Sequence, residues 1–307
     1  VAVLIGVLSQ TLPAKAADDL RIAVARTPWS LPVYVAEAEG YFAAEGVTLR
    51  LVDCAFGKIC LGKMLTGEVE FATVADTPLM FAALEGAKFY ILATMVTSAS
   101  NAKLIVRAGA GIARPKDLAG KKIGVFERTS AHYFLDSYLL FYDIDPTQVS
   151  ISPVKPDEVV QALQSGKFDA LAIFEPYSYE VVEKVPRATA MSSIRIVTGT
   201  FNLVATPAAL AGREKELEGI MRALQRANKL IRIDPDRAKM ILMSRLQLSR
   251  NYVEATWREN QFQLSMDQSL LATLESGARW ATRGGYVRNP QKPNFLDYLY
   301  PGPVRKV

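Results

Sequence analysis

Apolar and polar positions alternate between two periods through the first two thirds of the chain. Short apolar or alternating runs predict strands at 20–25, 47–52, 71–74, 89–95, 103–107, 123–126, 149–154, 168–174, 194–197 and 201–205. Between most of them the apolar residues recur at helical spacing, as in Ala131, Phe134, Leu135, Tyr138, Leu139 and Tyr142. Gly40, Gly67, Gly86 and Gly166 close such helical stretches, and Ser30 and Asp157 stand where caps belong. This strict strand–loop–helix alternation predicts an α/β fold with mainly parallel strands covered on both faces.

Beyond Pro207 the pattern changes to helices at 213–233, 236–245, 250–257 and 267–282, ended by Gly284 and Gly285. Such a block builds no sheet of its own, so it should pack against the first half of the chain. The expected organisation is two lobes with a cleft between them. Lobe one comprises 17–105 and 206–307, lobe two comprises 106–205, and two strands cross between them.

Ligand crevices of open α/β sheets lie outside the carboxyl ends of the strands. Here those exits are polar, small or aromatic, and include Arg26, Thr27 and Trp29, then Phe56, then Asp76 and Thr77, then Ser98. The fullest is the turn 124–135, which places Arg128, Thr129, Ser130 and His132 at a helix start. Open amides and the helix dipole make such an end a seat for an anion. Arg26 and Arg128 can fork onto a sulfonate or carboxylate, or simply face solvent. Trp29 and Phe56 can stack on a ligand or wall the cleft. Asp76 and Glu175 can be caps or hydrogen-bond anchors. His132 has no Ser-His-Asp or metal constellation around it, so a structural place in the first helical turn is expected. No catalytic residue, metal site or cofactor is expected.

Composition narrows the class. The net charge of +5 is dispersed, with no Lys/Arg run longer than two, which argues against nucleic acid. Residues 1–8 are apolar and are followed by Ala14-Lys15-Ala16, which reads as a leader remnant (1–16) with cleavage near Ala16. The run is too short to span a bilayer, so an exported, periplasmic protein is expected. Cys54 and Cys60 fit either one disulfide or two free thiols.

Several segments together resemble the solute-binding proteins of ABC transporters, in the sulfonate, taurine and nitrate branch (NMT1/THI5-like). They are Leu31-Pro32-Val33-Tyr34-Val35-Ala36 with Gly40-Tyr41-Phe42 and Glu45-Gly46-Val47, Asp76-Thr77-Pro78, Pro115-Lys116-Asp117-Leu118 to Gly124-Val125, and Phe168-Asp169-Ala170 to Glu175-Pro176. The resemblance spans roughly 20–250. It implies a type II periplasmic-binding-protein fold that closes at a hinge around a small organic anion, as a monomer. It further implies delivery to a permease with separate ATPase subunits. It places Thr27, Trp29, Asp76, Thr77, Ser98, Thr129, Ser130, His132 and Glu175 at ligand positions. Glu127-Arg128 departs from the glycine, lysine or serine often found there, which leaves the ligand open. Enzymes resembling chorismate dehydratase or pyrimidine synthase use the same architecture, and so do ligand-sensing modules.

Overall fold

The computed structural model describes residues 20–191 and 195–302. The expected leader and Ile194 of the expected strand 194–197 lie outside the described residues, and 195–197 carry no strand.

The chain opens with β1 (Leu20–Ala25), α1 (Leu31–Ala38), α2 (Tyr41–Ala44), β2 (Leu49–Cys54), α3 (Gly57–Leu65), β3 (Phe71–Ala75), α4 (Asp76–Leu84) and β4 (Tyr90–Ser98). It then crosses into β5 (Ala102–Val106), β6 (Lys122–Val125), α5 (Ser130–Phe141), β7 (Ser150–Pro153), α6 (Val159–Gln164), β8 (Ala170–Phe174), α7 (Tyr177–Lys184) and β9 (Thr189–Ala190). It returns through β10 (Gly199–Ala205), α8 (Pro207–Leu210), α9 (Glu214–Ile233), α10 (Pro235–Leu246), α11 (Arg250–Thr256), β11 (Asn260–Ser265) and α12 (Gln268–Arg283).

The strands form a six-stranded sheet, β11-β4-β10-β3-β1-β2, and a five-stranded sheet, β7-β6-β8-β5-β9. Both are mixed rather than mainly parallel. β1 runs parallel to β2 and β3, and β6 runs parallel to β7 and β8. β10 is antiparallel to β3 and β4, and β5 is antiparallel to β8. The reason is topological. β5 and β10 each enter a sheet from the cleft, where their neighbours end, so they run against them.

Sheet membership also differs from the expected division. Ala102 already belongs to the second sheet, and Gly199–Ala205 belongs to the first. Sequence periodicity did not predict β11, which closes the edge of the first sheet beside β4.

Packing follows the pleat, whose side chains alternate between faces. In β8, Ala170 and Ala172 join the core under α5, while Leu171 and Ile173 join the core under α6 and α7. A strand buried on both faces reads as the continuous apolar run seen there. The first sheet shares one large core with α9–α12, to which α9 gives Leu217, Ile220, Leu224 and Ile231. Each such side chain, fully buried, stabilises the fold by about 1.5–3 kcal/mol. Gly219 lets α9 approach closely, since a Cβ there would meet Val47 Cγ2 at 2.8 Å.

Candidate functional site

The carboxyl ends of β1, β2, β3 and β4 face those of β6 and β8 across the cleft, and loop residues from both halves enclose a cavity of about 30 Å³. A second space of about 20 Å³ adjoins it and shares Trp29, Asn101 and Ser130 as its wall. Of the residues picked from the sequence, Thr27, Trp29, Phe56, Thr129 and Ser130 line the larger cavity, and Ser98 lines the smaller.

Helix starts shape the polar end. Thr129 caps α5: its Oγ1 accepts from the Ala131 N–H at 3.2 Å and donates to the Phe126 carbonyl at 2.6 Å. Ser130, the first residue of α5, stands at the cavity. α3 begins after Phe56, whose side chain supplies no cap. Its first turn carries Gly57 and Lys58 into the lining. A Cβ at Gly57 would stand 3.1 Å from the Val74 backbone, so glycine lets this end press against β3. Lys58 Nζ donates to the Glu127 carbonyl across the cleft at 3.1 Å. Burial, with Arg128 nearby, pushes its pKa down. Among the described residues lining the cavity it is the sole cation.

The walls are rings. Phe56 stacks on Phe126 at 6.0 Å between centroids and meets Phe174 edge-on at 6.0 Å, so one ring from the first half seats on two from the second. Trp29 leans on Phe201 at 5.6 Å, and Gly199 makes room for it, since a Cβ there would meet the indole at 3.0 Å.

The other candidates sit elsewhere. Arg26 pairs with Asp53 at 3.2 Å on an exposed rim. Asp76 is buried and tied to β10, with Oδ2 accepting from the Thr200 N–H at 2.7 Å and the Thr200 hydroxyl at 3.2 Å. Its Oδ1 accepts from Thr77 at 3.0 Å. These bonds make Asp76 and Thr77 an anchor of α4 on the sheet. The Glu175 carboxyl is buried, pushed up by that burial and bordered by Ser178, while its backbone carbonyl accepts from Thr27 at 3.4 Å.

Arg128 does not reach the cavity as an anion partner. It pairs with Glu85 of the opposite half and lies 4.5 Å over the Phe81 ring. His132 accepts from the Arg128 N–H through Nδ1 at 3.3 Å, and burial pushes its pKa down. Its ring packs against Trp280 and Tyr286. Beside it, Asp136 Oδ2 accepts from Trp280 Nε1 at 2.9 Å and from the Tyr286 hydroxyl. Tyr133 meets Ser276 at 3.2 Å. These contacts form a second seam between the halves, running from α5 to α4 and α12.

Lys58, Phe174 and Phe201 were missed as site residues. Lys58 reads in sequence as a solvated helix position, and the two phenylalanines as strand interiors. Their places at the cleft ends of α3, β8 and β10 were the available signal. Cys54 and Cys60 are free and buried, and neither lines the cavity. Among the described residues no acidic, cysteine or histidine cluster suited to a metal occurs, and no helix is long and apolar enough to cross a membrane.

Comparison with known proteins agrees with this fold. The chain is 27% identical over 161 residues to the taurine-binding periplasmic protein of Escherichia coli K12, covering 52% of this chain and 50% of that one. The chain spans about half the length of the curated relatives it matches first. In structure it is similar to the alkanesulfonate-binding protein SsuA of Xanthomonas axonopodis bound to MOPS (TM-score 0.80, 17% identity, covering 94% of this chain and 100% of that one). It is similar too to the desulfurization enzyme DSZB (TM-score 0.70, 15% identity, 94% and 98%). The fold is that of the periplasmic binding proteins. The family model described as NMT1/THI5 like matches residues 27–238, and the chain belongs to that family.

Proposed function

We propose that this chain is the extracytoplasmic solute-binding component of an ABC importer, taking a small organic anion between two lobes and passing it to a permease with separate ATPase subunits. The lobes divide by sheet, with crossings after Ser98 and before Gly199. The protein works in the periplasm as a monomer after loss of a leader near Ala16.

One observation carries this reading. Both halves contribute to a single cavity whose polar end holds Lys58, Ser130 and the starts of α3 and α5, with rings as walls. Such an end suits a sulfonate, whose three oxygens accept hydrogen bonds from amides, hydroxyls and ammonium together. The names of the relatives in sulfonate and taurine binding support the same head group. At about 30 Å³ the cavity is smaller than such a ligand, so the lobes must part to admit it and close less far around it. Ligand that bridges both lobes then favours the closed form.

Thermal unfolding of residues 17–307 with alkanesulfonates, taurine, nitrate and aromatic carboxylates tests this. A ligand at about 100 times its Kd adds about 2.7 kcal/mol, a rise of several degrees. No rise with any of these anions overturns the reading.

A second reading, an enzyme on the same fold, draws on the likeness to DSZB. Cys54 and Cys60 are free and buried, and both lie outside the lining. Recovery of the ligand unchanged after incubation separates transport from turnover.

A further inference from the structure

Trp29 stands where the two spaces of the cleft meet, and its place is fixed from three sides. Its indole N–H, buried with the ring, needs an acceptor. Asn260 supplies it, with Oδ1 accepting from Trp29 Nε1 at 2.8 Å. The amide is itself oriented, because Asn260 Nδ2 donates to the Thr256 carbonyl at 3.2 Å. The ring leans on Phe201, and its far edge lies against Gly199, where a Cβ would meet Cη2 at 3.0 Å. Gly199 and Phe201 lie on β10, Asn260 opens β11, and Trp29 follows β1, all strands of the first sheet. The clamp therefore belongs to one half of the molecule and keeps its shape when the lobes part.

The two spaces differ in kind. Lys58 and the start of α3 belong to the larger alone. The smaller is walled by Ala99, Ala102, Phe134 and Val197, and holds no cation among its described lining residues. An anion held at Lys58 meets that apolar surface only beyond the shared wall of Trp29, Asn101 and Ser130, of which the indole is the bulkiest member.

We infer that Asn260 is a positioning residue: by holding the Trp29 indole across the boundary between the two spaces, it sets how long an apolar tail the ligand can carry. This rests on the small-anion reading above. A short tail fits on the near side of the ring. A longer one needs the second space and must displace the indole, which breaks its hydrogen bond to Asn260 and its seat on Phe201 and Gly199. A clash of this kind selects against the longer ligand even though its extra methylenes favour burial.

The test is calorimetric titration of the parent, Asn260→Leu and Asn260→Asp with ethanesulfonate and hexanesulfonate, which share a head and differ only in tail length. The parent should bind ethanesulfonate at least about tenfold tighter. Leucine is of similar size and offers no acceptor, so Asn260→Leu, shown to be folded by its circular dichroism, should bring the ratio to about threefold or less. Aspartate keeps the acceptor, so Asn260→Asp should recover the parent's ratio even where its charge weakens both ligands alike. NMR of the ligand-free protein gives a second reading. The Trp29 indole N–H, assigned through Trp29→Phe, should exchange with solvent faster in Asn260→Leu and not in Asn260→Asp. A parent that does not favour the short tail, or a ratio unchanged in Asn260→Leu, overturns the inference and leaves the anion reading standing. Propionate and heptanoate repeat the comparison with a carboxylate head. If they alone bind, the sulfonate head is wrong, and their own ratio still upholds or overturns the role of Asn260. If neither pair binds, the anion reading falls and this inference with it, even where the indole is released as expected.

Discussion

Around Phe56 the two halves meet through aromatic faces, one lysine and a cavity. Around Asp136 they meet through a carboxylate, two ring-borne donors and an ion pair, with His132 filled in between. Both seams join α5 or its loop to the first half, yet they should govern different quantities. The cavity seam turns an ammonium with donors to spare, and the Ser130 hydroxyl, toward the space a ligand would fill. The Asp136 seam pairs Trp280 Nε1 and the Tyr286 hydroxyl within the protein, so it favours closure whether or not ligand is present. The difference teaches that closeness to the hinge or cleft does not make a polar residue a ligand contact. What matters is whether its partners are already supplied.

Removing Lys58 should cut deepest. Lys58→Ala takes from the cavity the sole cation among its described lining residues, and a hydrogen bond to a charged group contributes about 1.5–3 kcal/mol. Anion affinity should fall about 10- to 100-fold by titration, with little change in melting temperature. An unchanged Kd would place the head group elsewhere.

Asp136→Ala comes next. It leaves Trp280 Nε1 and the Tyr286 hydroxyl without their acceptor and frees the halves to part. Loss of roughly 1 kcal/mol of closure energy lowers affinity about fivefold without touching ligand. Small-angle scattering of the ligand-free variant should show a larger radius of gyration, and Asp136→Asn, which keeps one acceptor, should recover part of both effects. An unchanged radius together with an unchanged Kd would reduce this seam to packing.

Two buried groups outside the cavity lining should answer pH with opposite sign. Burial raises the Glu175 carboxyl, so the folded protein holds that proton longer than the unfolded chain, whose value is about 4.3. Stability from this group is present below the unfolded value and is lost as pH rises through the folded one. Burial lowers His132, so the unfolded chain takes that proton first, and its contribution is lost as pH falls from about 6.5. Glu175→Gln should therefore gain stability over the parent at pH 8 relative to pH 4, read as urea midpoints. Parallel midpoints at the two pH values would contradict the direction assigned to Glu175.

Much of the architecture was legible because buried strands and amphipathic helices write their period into the sequence. β8 is the plainest instance, five apolar residues all buried. β11 was not legible. It is an edge strand of alternating polar residues, half exposed, lying in a stretch dominated by helical spacing. The site was legible as loops and illegible as pairs. Thr129 followed from local capping chemistry, and Ser130 from its place beside it at the helix start. Arg26 and Arg128 looked like anion partners because their acids, Asp53 and Glu85, lie far away in sequence and only the fold brings them close. Lys58 erred the other way, since a lysine in a helix ordinarily faces water.

Arg128 gives the smallest effect and the finest division between the seams. It holds a positive φ of 57°, which costs a non-glycine residue about 1 kcal/mol or more, and it repays this through Glu85 and the Phe81 face. The ion pair is partly exposed and adds about 0–1 kcal/mol, and the ring contact adds about 0.5–1. Arg128→Ala keeps the strain and loses both contacts, so it should unfold at lower temperature. Arg128→Gly loses the same contacts but sheds the strain, so it should lie between Arg128→Ala and the parent or match the parent. Only part of what these contacts contribute acts on closure, so neither variant should change anion affinity more than about threefold. A tenfold loss in both variants alike, with melting temperatures intact, would return Arg128 to the ligand side and erase the distinction between the two seams.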